Sequence, residues 1–405
     1  MSLPLEHLKV VDAASYLAAP GAATVLSDFG ADVIKIEPLQ GDGYRLLVGP
    51  YPVPYHWQLT SRNKRSIALD LRSQQGLKIL HELVVDADVL LTNFRPDQQR
   101  DFKMTWDEMS AQNERLIMAE VTGYGSEGPD RNMRAFDATA WWARSGMMDL
   151  IREPDRIPQQ GAGGFGDHAT CMSLFGGIMM ALYQRERTGK GTFVQTSLAA
   201  NGVWSNGMQV QGKIAGFDVN DWRQENGQPS PFGGVYETSD HRHVLLSITN
   251  AQKEWPNLVA AVGHPEWLEN WPAARDVYRD QHNVREHIAT AIGTMTAKAV
   301  HARMSEHTIP YGLVQNLDDV VNDAQLKAND ILIPTESDNP DYQWTVNSPI
   351  SLKGSPKRAP TEAPDTGANS REVLQALGYK SDHIQELIDA GVVGEPTRQV
   401  AGTTT

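Results

Sequence analysis

One stretch of this sequence combines a candidate nucleophile with unusual backbone freedom. Residues 161–191 contain a run of glycines, then Asp167, then an apolar segment that ends in charged residues and a Thr-Gly-Lys-Gly turn. Gly163, Gly164 and Gly166 allow backbone dihedral angles that other residues avoid, and they allow another molecule to come close. A carboxylate beside such a loop is a candidate for nucleophilic, covalent catalysis.

Asp167 also fits a purely structural role. Apolar residues recur at helical spacing after it, which predicts a helix that begins near Asp167 and ends near Gly189. An aspartate at such a start can serve as the N-cap, whose carboxylate accepts hydrogen bonds from the free amides of the first turn. The residues alone leave the catalytic and the structural role open, because one carboxylate can perform both.

The preceding part of the chain predicts the sheet that would position this stretch. Strand-like and helix-like patterns alternate over the first 121 residues, and this alternation is typical of an α/β fold with a doubly wound, mostly parallel, Rossmann-like sheet. Ligands of such sheets bind beyond the carboxyl ends of the strands. We predict strands at 9–14, 32–37, 66–71, 87–92 and 115–121, and helices at 21–29, 74–85 and 106–112.

The composition argues against several classes of protein. A net charge of −14 over 405 residues repels phosphate backbones, so we expect no nucleic-acid partner. The single cysteine permits no intrachain disulfide and no Cys-x-x-Cys zinc cluster. The amino terminus shows no signal peptide, and the longest apolar run, at 174–183, is shorter than the roughly 20 residues of a membrane helix. We therefore expect a cytoplasmic protein with no membrane partner.

The motif around Asp167 resembles the central motif of the class III CoA-transferases, a family that includes formyl-CoA transferase, carnitine CoA-transferase and the alpha-methylacyl-CoA racemases. In the transferases the aspartate of this motif is the covalent catalytic residue, and Asp167 is the matching position. Further segments match the family in order and spacing, so that the resemblance covers nearly the whole chain. They are 30–38, 63–66, 69–71, 87–90, 93–96, 123–125 and 369–379.

The resemblance implies a function and a set of partners. Members of the family move CoA from an acyl-CoA donor to a free carboxylic acid, through a mixed anhydride and an aspartyl-CoA thioester on the catalytic aspartate. This chemistry needs CoA but no metal. The resemblance also implies a homodimer of interlocked subunits.

Other site residues are carried over from matching positions of the family. The positions implied to bind CoA are Ala18, Leu69, Arg72, Asn93, Phe94 and Arg134. The positions implied to bind the substrate acid are Leu17, Phe136, Gly233 and Gly234. Some relatives carry glutamine where this chain has Leu17 and a phosphate-binding arginine where it has Pro38, and Arg45 is a candidate replacement for that arginine.

The family also suggests domain limits. We assign 1–205 to the first part of a large CoA-binding α/β domain, 206–230 to a linker and 231–330 to a small α+β domain. Residues 331–405 form a connector and a segment that returns to the large domain. In the small domain we predict a hairpin at 234–248, helices at 251–262, 284–306 and 317–322, and a return strand at 309–314. Two helices close the chain, near 371–377 and 381–390.

Three other functions would each use part of this sequence. A racemase needs an acid–base pair, but the histidine that racemases carry before the aspartate of Gly-His-Asp is Phe136 here. A dinucleotide-binding protein would use residues 161–166 as Gly-x-Gly-x-x-Gly, but this motif should follow a strand and the preceding residues do not form one. A non-catalytic CoA-binding protein could lose Asp167, which this chain keeps.

Overall fold

In the computed structural model of the protein, residues 2–47, 53–153, 156–219, 221 and 230–396 are described. The chain forms two compact units. One comprises Met1–Ala215 together with Lys327–Thr405, and the other comprises Gly216–Leu326. The chain therefore leaves the first unit once and returns to it.

The strands of the described residues are numbered in chain order. They are β1 Lys9–Ala13, β2 Asp32–Glu37, β3 Arg65–Leu69, β4 Val89–Thr92, β5 Ile117–Thr122, β6 Thr192–Ser197, β7 Val235–Glu237, β8 His243–Leu246, β9 Tyr311–Leu313, β10 Leu332–Pro334, β11 Trp344–Val346 and β12 Val393–Gly394.

The α-helices of the described residues are numbered in the same way. They are α1 Ala18–Asp28, α2 Tyr55–Ser61, α3 Gln74–Val85, α4 Pro96–Asp101, α5 Trp106–Gln112, α6 Met147–Ile151, α7 Phe165–Thr188, α8 Leu198–Ser205, α9 Gly207–Ile214, α10 Ala251–Val262, α11 Trp267–Asn270, α12 Ala274–Arg279, α13 Gln281–Gly293, α14 Ala297–Glu306, α15 Leu317–Asn322, α16 Ala324–Ala328, α17 Ser370–Ala376 and α18 Ser381–Asp389.

A seven-stranded sheet organises the first unit. Its strand order is β12-β3-β2-β1-β4-β5-β6, and every neighbouring pair is parallel except β12 with β3. The predicted α/β class with a mostly parallel sheet is confirmed. Successive strands are added to one side of β1 as far as β3, and then to its other side from β4 to β6. The switch point between β1 and β4 is where open α/β sheets bind ligands.

Helices cover both faces of this sheet because alternate strand residues point to opposite faces. Val10 of β1 belongs to the buried cluster that contains α1 and α7. Val11, the next residue, belongs to the cluster that contains α3 and the carboxyl-terminal helices α17 and α18. The strands are thus buried on both sides, as parallel sheets require.

The second unit has its own core. Strands β7, β8 and β9 form an antiparallel sheet, and helices α10, α13 and α14 contribute to one buried cluster with it. The helix predicted at 284–306 is wrong as a single element, because it is divided between α13 and α14. Thr296 accepts a hydrogen bond from the amide of Ala299 and caps the start of α14.

The segment assigned as a linker, 206–230, is partly helical. It contains α9, whereas residues 220 and 222–229 lie outside the described part of the chain. Gly207 and Gly212 favoured the prediction of a loop, but both residues lie within α9.

Candidate functional site

Asp167 lies in the first turn of α7, at the third helical residue. The N-cap position is occupied by Gly164, whose φ of 93° lies in the left-handed region that favours glycine. The structural alternative that made Asp167 the N-cap is therefore wrong. The carboxylate is half-buried.

Asp137 performs the capping role instead. Its Oδ2 accepts a hydrogen bond from the amide of Gly164 at 2.7 Å, and its Oδ1 accepts one from the amide of Gly166 at 2.9 Å. The side chain is buried at the start of a π-helical segment, Asp137–Ala143. Because Asp137 satisfies these amides, the carboxylate of Asp167 is not required to cap the helix.

The glycines of this loop are required by close packing. A Cβ on Gly166 would lie well under 3.0 Å from both Trp141 and Asp137, and a Cβ on Gly161 would overlap the ring of Trp142. At these two positions, the absence of a side chain therefore allows the backbone to lie against indole rings and a carboxylate.

The surroundings raise the pKa of Asp167 to about 7. Burial is the main cause, because it disfavours the charged form, and the negative charge of Asp137 adds to it. A carboxylate with this pKa is more basic than an exposed aspartate and is still largely ionised just above neutral pH. The pKa of Asp137 is raised by burial as well, and the amides of Gly164 and Gly166 oppose that shift.

The loop from β1 to α1 contacts the same turn. The side chain of Leu17 is buried, and its Cδ1 lies 3.3 Å from the place that a Cβ on Gly164 would occupy. Ala18 follows as the first residue of α1. The structure thus brings Leu17 and Ala18 together with the turn that carries Asp167.

Four buried charges lie beneath this loop. The Nζ of Lys64 is 2.9 Å from Asp12, and the Nζ of Lys35 is 3.1 Å from Asp42 and 3.7 Å from Asp12. The two positive and two negative charges balance. Burial opposes ionisation of Asp12, but the two lysines outweigh it, so that the pKa of Asp12 is lowered.

This buried charge network holds the backbone of the loop. Lys64 donates to the carbonyl oxygen of Pro20 at 2.7 Å. Asp42 accepts hydrogen bonds from the amides of Tyr16 at 3.2 Å and Tyr44 at 2.9 Å. The φ of Tyr16 is 65°, a conformation that is costly for a residue with a side chain. The network therefore helps to hold a strained loop in place.

A row of aromatic rings extends from the same loop. The ring centroid of Tyr16 lies 5.4 Å from that of Phe136 and 6.2 Å from that of Tyr44. His56 continues the row at 5.6 Å from Tyr44, and Tyr55 lies 3.8 Å from His56. We call these five residues the aromatic wall. Phe136 directly precedes Asp137, which places one end of the wall beside the turn of Asp167.

The charge of Asp167 reaches this wall. The pKa of Tyr44 is raised by burial and then by the negative charge of Asp167. His56 has its pKa lowered by burial. A group bound between Asp167 and the wall would thus contact ring surfaces and one carboxylate.

Asn93 fixes the switch point of the sheet. Its amide nitrogen donates to the carbonyl of Ser15 at 2.8 Å, and its Oδ1 accepts from the amide of Ser15 at 2.9 Å. These bonds join the ends of β1 and β4. Phe94 follows, half-buried, with its ring 5.1 Å from that of Phe102. Both residues therefore have structural partners at the edge where a ligand is expected.

The other predicted CoA contacts differ in burial. Leu69, at the end of β3, is only 1% exposed, so its side chain belongs to the core. Arg72 and Arg134 are exposed. Arg45 binds Glu37 with two hydrogen bonds of 2.7 and 2.8 Å, which argues against the hypothesis that it replaces a phosphate-binding arginine.

Gly233 and Gly234 belong to the second unit. Gly233 ends a 3₁₀ turn, Pro231–Gly233, and Gly234 precedes β7. A Cβ on Gly234 would lie well under 3.0 Å from the guanidinium of Arg285. This contact gives Gly234 a packing role in its own unit.

Two observations concern Cys171 and the dinucleotide-binding alternative. Cys171 is buried and its pKa is raised to about 12, mainly by burial, so its thiol stays protonated at neutral pH. In the described chain, residues 161–164 lie between α6 and α7 and residues 165–166 begin α7, so the motif does not directly follow a strand. The latter arrangement does not match the dinucleotide-binding motif.

A cavity of about 880 Å³ lies in the first unit. It is lined by parts of α1 and α2, by His168 and Cys171 of α7, and by the returning segment 329–360, and Asp167 is not part of its lining. Across the described ranges, no group of three acidic, histidine or cysteine side chains is arranged to hold a metal ion. No helix in those ranges is long and apolar enough to cross a membrane.

Asp137 is the residue of this site that the sequence did not indicate. It stands 27 positions before Gly164, and only its place at the start of a helical segment hints at a role. The resemblance directed attention to Phe136, its neighbour, instead.

The chain matches CoA-transferase family III over residues 5–370. It is 30% identical over 398 residues to the (R)-2-hydroxy-4-methylpentanoate CoA-transferase of Clostridioides difficile, covering 96% of this chain and 99% of the relative. It is also 30% identical over 394 residues to the succinyl-CoA–L-malate CoA-transferase alpha subunit of Chloroflexus aurantiacus, covering 93% and 89%.

A solved structure shows the same fold. The crystal structure of a CAIB/BAIF family protein from Brucella suis superposes with a TM-score of 0.81 at 25% identity and covers 93% of this chain and 100% of its own. The chain belongs to CoA-transferase family III, and the predicted class of enzyme, an acyl-CoA:carboxylate CoA-transferase, is confirmed.

Proposed function

We propose that this enzyme transfers CoA from an acyl-CoA donor to a free carboxylic acid through covalent intermediates on Asp167. The observation that carries the proposal is that the carboxylate of Asp167 lies on a rigid turn with its pKa raised to about 7, while Asp137 satisfies the amides before it. A nucleophile of this basicity is well matched to reaction near neutral pH.

The reaction can be written with balanced bonds. The ionised Asp167 attacks the donor thioester, which forms a mixed anhydride and releases the CoA thiolate. The thiolate then attacks the aspartyl carbonyl, so that the donor acid leaves and an aspartyl-CoA thioester remains. The acceptor acid repeats these steps in reverse order. Each intermediate is an activated acyl group, so the reaction needs no ATP.

Backbone amides are proposed to stabilise the developing oxyanion. Leu17 offers no side-chain donor where some relatives have glutamine, and the first amides of a helix have no partner within the helix. The amide of Ala18, at the start of α1, is the proposed donor toward the thioester oxygen. The buried charge network supports this role because it holds both ends of the loop.

CoA is proposed to lie along the switch point of the sheet. Ala18, Asn93 and Phe94 lie at this edge, and the resemblance adds Leu69, Arg72 and Arg134. Leu69 would contribute through its backbone, since its side chain is buried. Phe136 offers a ring in place of the racemase histidine and cannot exchange a proton, which favours transfer over racemisation.

The proposed assembly is a homodimer of interlocked subunits in the cytoplasm. Large apolar side chains on α7, α8 and α9 support a partner surface, because Met180, Trp204 and Met208 are 70%, 85% and 83% exposed. We expect light scattering to give the mass of two chains. A monomer at micromolar concentration would contradict this part of the proposal.

The proposed reaction is tested by exchange of CoA between acids. The purified enzyme is incubated with acetyl-CoA or succinyl-CoA and a pool of carboxylic acids, and new acyl-CoA species are measured by mass spectrometry. Asp167→Asn should abolish their formation, provided that the mass of the variant excludes deamidation. Glu186→Gln is the matched control, since Glu186 is an exposed acidic residue on the same helix. Full transfer by Asp167→Asn would refute the role of Asp167.

A further inference from the structure

A buried carboxylate lies beside the end of β4, next to the switch point of the sheet. Glu120 belongs to β5 and is 2% exposed, and it pairs in register with Thr92, the last residue of β4. Among the described residues, no cation forms an ion pair with Glu120. Burial of a carboxylate without a cation costs stability, so that such a side chain is typical of a place where it serves a function.

Two glutamines supply the hydrogen bonds of this carboxylate. The Nε2 of Gln195, on β6, donates to Oε2 of Glu120 at 2.9 Å, and the Nε2 of Gln99, on α4, donates to Oε1. Burial raises the pKa of Glu120, and these two hydrogen bonds oppose that shift. Gln99 is itself buried, whereas Gln195 is exposed. We call Glu120 and Gln99 the buried pair.

Gln99 connects this carboxylate to the loop that follows β4. An amide nitrogen has two hydrogens to donate, and the Nε2 of Gln99 also donates to the carbonyl oxygen of Phe94 at 2.9 Å. The amide of Phe94 donates to Oγ1 of Thr92 at 3.1 Å. Both main-chain polar groups of Phe94 are thus bound by side chains, and the side chain that binds the carbonyl is oriented by Glu120.

Phe94 lies at the edge of the sheet where a ligand is expected. The preceding residue, Asn93, exchanges two hydrogen bonds with the main chain of Ser15 and joins the ends of β1 and β4. Open α/β sheets bind ligands beyond the carboxyl ends of the strands at such a point. A change in the position of Phe94 therefore alters the backbone that a ligand at the switch point meets.

We infer that Glu120 is a positioning residue for CoA, because it orients Gln99 and Gln99 fixes the backbone of Phe94 at the switch point. This inference rests on the proposed function, since CoA is proposed to be the ligand that lies there. Glu120 is buried beneath the loop. Its loss should therefore weaken the binding of CoA and leave the chemical step unchanged.

The test measures binding of CoA and turnover in separate assays. In Glu120→Ala, Gln99 loses its acceptor. We expect the Kd of free CoA, measured by isothermal titration calorimetry, and the KM of the acyl-CoA donor to rise about tenfold, with kcat within about twofold of the parent enzyme. Glu120→Gln keeps an acceptor oxygen for Gln99, and the exposed amide of Gln195 can turn to accept from the new NH₂ group. This variant should therefore bind CoA as the parent enzyme does.

A matched control removes a comparable carboxylate elsewhere in the first unit. Glu82, on α3, also accepts hydrogen bonds from two side chains, the Nζ of Lys78 and the hydroxyl of Tyr379, each at 2.6 Å. These bonds join α3 to the carboxyl-terminal segment rather than to a loop at the switch point. Glu82→Ala should therefore keep the Kd of CoA and both kinetic constants.

A double variant separates positioning from a merely structural role. Gln99→Leu combined with Glu120→Val replaces both members of the buried pair by apolar side chains, and such a replacement can be nearly neutral for stability. We expect urea unfolding close to that of the parent enzyme. The Kd of CoA should still be raised about tenfold, because the carbonyl of Phe94 has lost its donor. A pair with only a structural role would regain the parent affinity together with the stability.

The outcomes distinguish this inference from the proposed function. An unchanged Kd of CoA in Glu120→Ala, or the parent affinity in the folded double variant, overturns the role of Glu120 and leaves the transfer reaction intact. A Kd in Glu120→Gln as high as in Glu120→Ala also overturns it, because Gln99 would then have its acceptor without effect. Absence of transfer to every acid by the parent enzyme, with several donors tried, refutes the proposed function itself, whereas the binding measurement does not depend on that reaction.

Discussion

Replacing Asp137 by asparagine tests how the reactive turn is held. The carboxylate accepts hydrogen bonds from the amides of Gly164 at 2.7 Å and Gly166 at 2.9 Å. Asparagine has a similar shape, but its NH₂ group would face one of these two amides and leave it without an acceptor. Such a loss at a buried site costs about 1–3 kcal/mol of the free energy of unfolding. If the same loss applies in the transition state, kcat/KM falls about 5- to 150-fold.

The variant should also change the pH dependence. Asp167 must be ionised to attack, so that kcat/KM of the parent enzyme should rise with pH through an inflection near 7. The negative charge of Asp137 is one cause of that raised pKa. Asp137→Asn removes this charge, and the inflection should therefore move to lower pH although the plateau at high pH is lower.

The assay is the pH profile of kcat/KM together with urea unfolding of both proteins. Asp382→Asn is the control, because Asp382 is an exposed aspartate in the first turn of another helix, α18. The control should keep the inflection, the plateau and the stability. An inflection in Asp137→Asn that stays in place or moves to higher pH would refute the electrostatic part of the reasoning, and an unchanged plateau would refute the positioning part.

Two further variants test the packing beneath the site. Gly166→Ala would place a methyl group well under 3.0 Å from an indole ring. We therefore expect a severe loss of activity, or a loss of folded protein measured by circular dichroism. Gly176→Ala in the same helix is the control and should be tolerated, because its methyl group would meet nothing within 4 Å. Lys64→Met leaves the buried Asp12 with one counter-ion fewer, at 0% exposure, and should lower the free energy of unfolding by about 3–5 kcal/mol in urea. Lys78→Met, at an exposed lysine, should change it by less than about 1 kcal/mol; similar losses for both lysines would contradict the role of the network.

Helices whose start is encoded locally were predicted with their bounds. The predictions at 74–85, 106–112, 251–262 and 317–322 coincide with α3, α5, α10 and α15. In each, a polar side chain immediately before the helix accepts a hydrogen bond from a first-turn amide; these residues are Ser73, Thr105, Asn250 and Asn316. Apolar periodicity and a local cap are both visible in the sequence, which explains the agreement.

Elements that depend on distant residues were not predicted. Strand β12 pairs antiparallel with β3 although it lies more than 300 residues later, and nothing local specifies that partner. Strand β6 and helix α9 were missed as well. The glycines of α9 favoured the prediction of a loop. Intrinsic helix propensity is a weak predictor where tertiary packing determines the secondary structure.

The site shows the same division. Asp167 could be found from its own surroundings, a glycine run before an apolar helix. The finding that Asp167 does not cap the helix could not be predicted. It depends on Asp137, which accepts the hydrogen bond of Gly164 from 27 positions earlier in the chain. The pairing of Lys64 with Asp12 is likewise a contact across 52 positions that only the sheet brings together.

The most direct test of the account follows oxygen into Asp167. In the proposed reaction the acceptor acid loses one carboxylate oxygen to the aspartate in each turnover, as the mixed anhydride is opened at the acceptor carbonyl. The enzyme is incubated with an acyl-CoA donor and an acceptor acid labelled with ¹⁸O, and the peptide that contains Asp167 is analysed by mass spectrometry. We expect ¹⁸O in the side chain of Asp167 only when donor and acceptor are both present. Efficient formation of the new acyl-CoA with no ¹⁸O in that peptide would contradict a covalent role for Asp167.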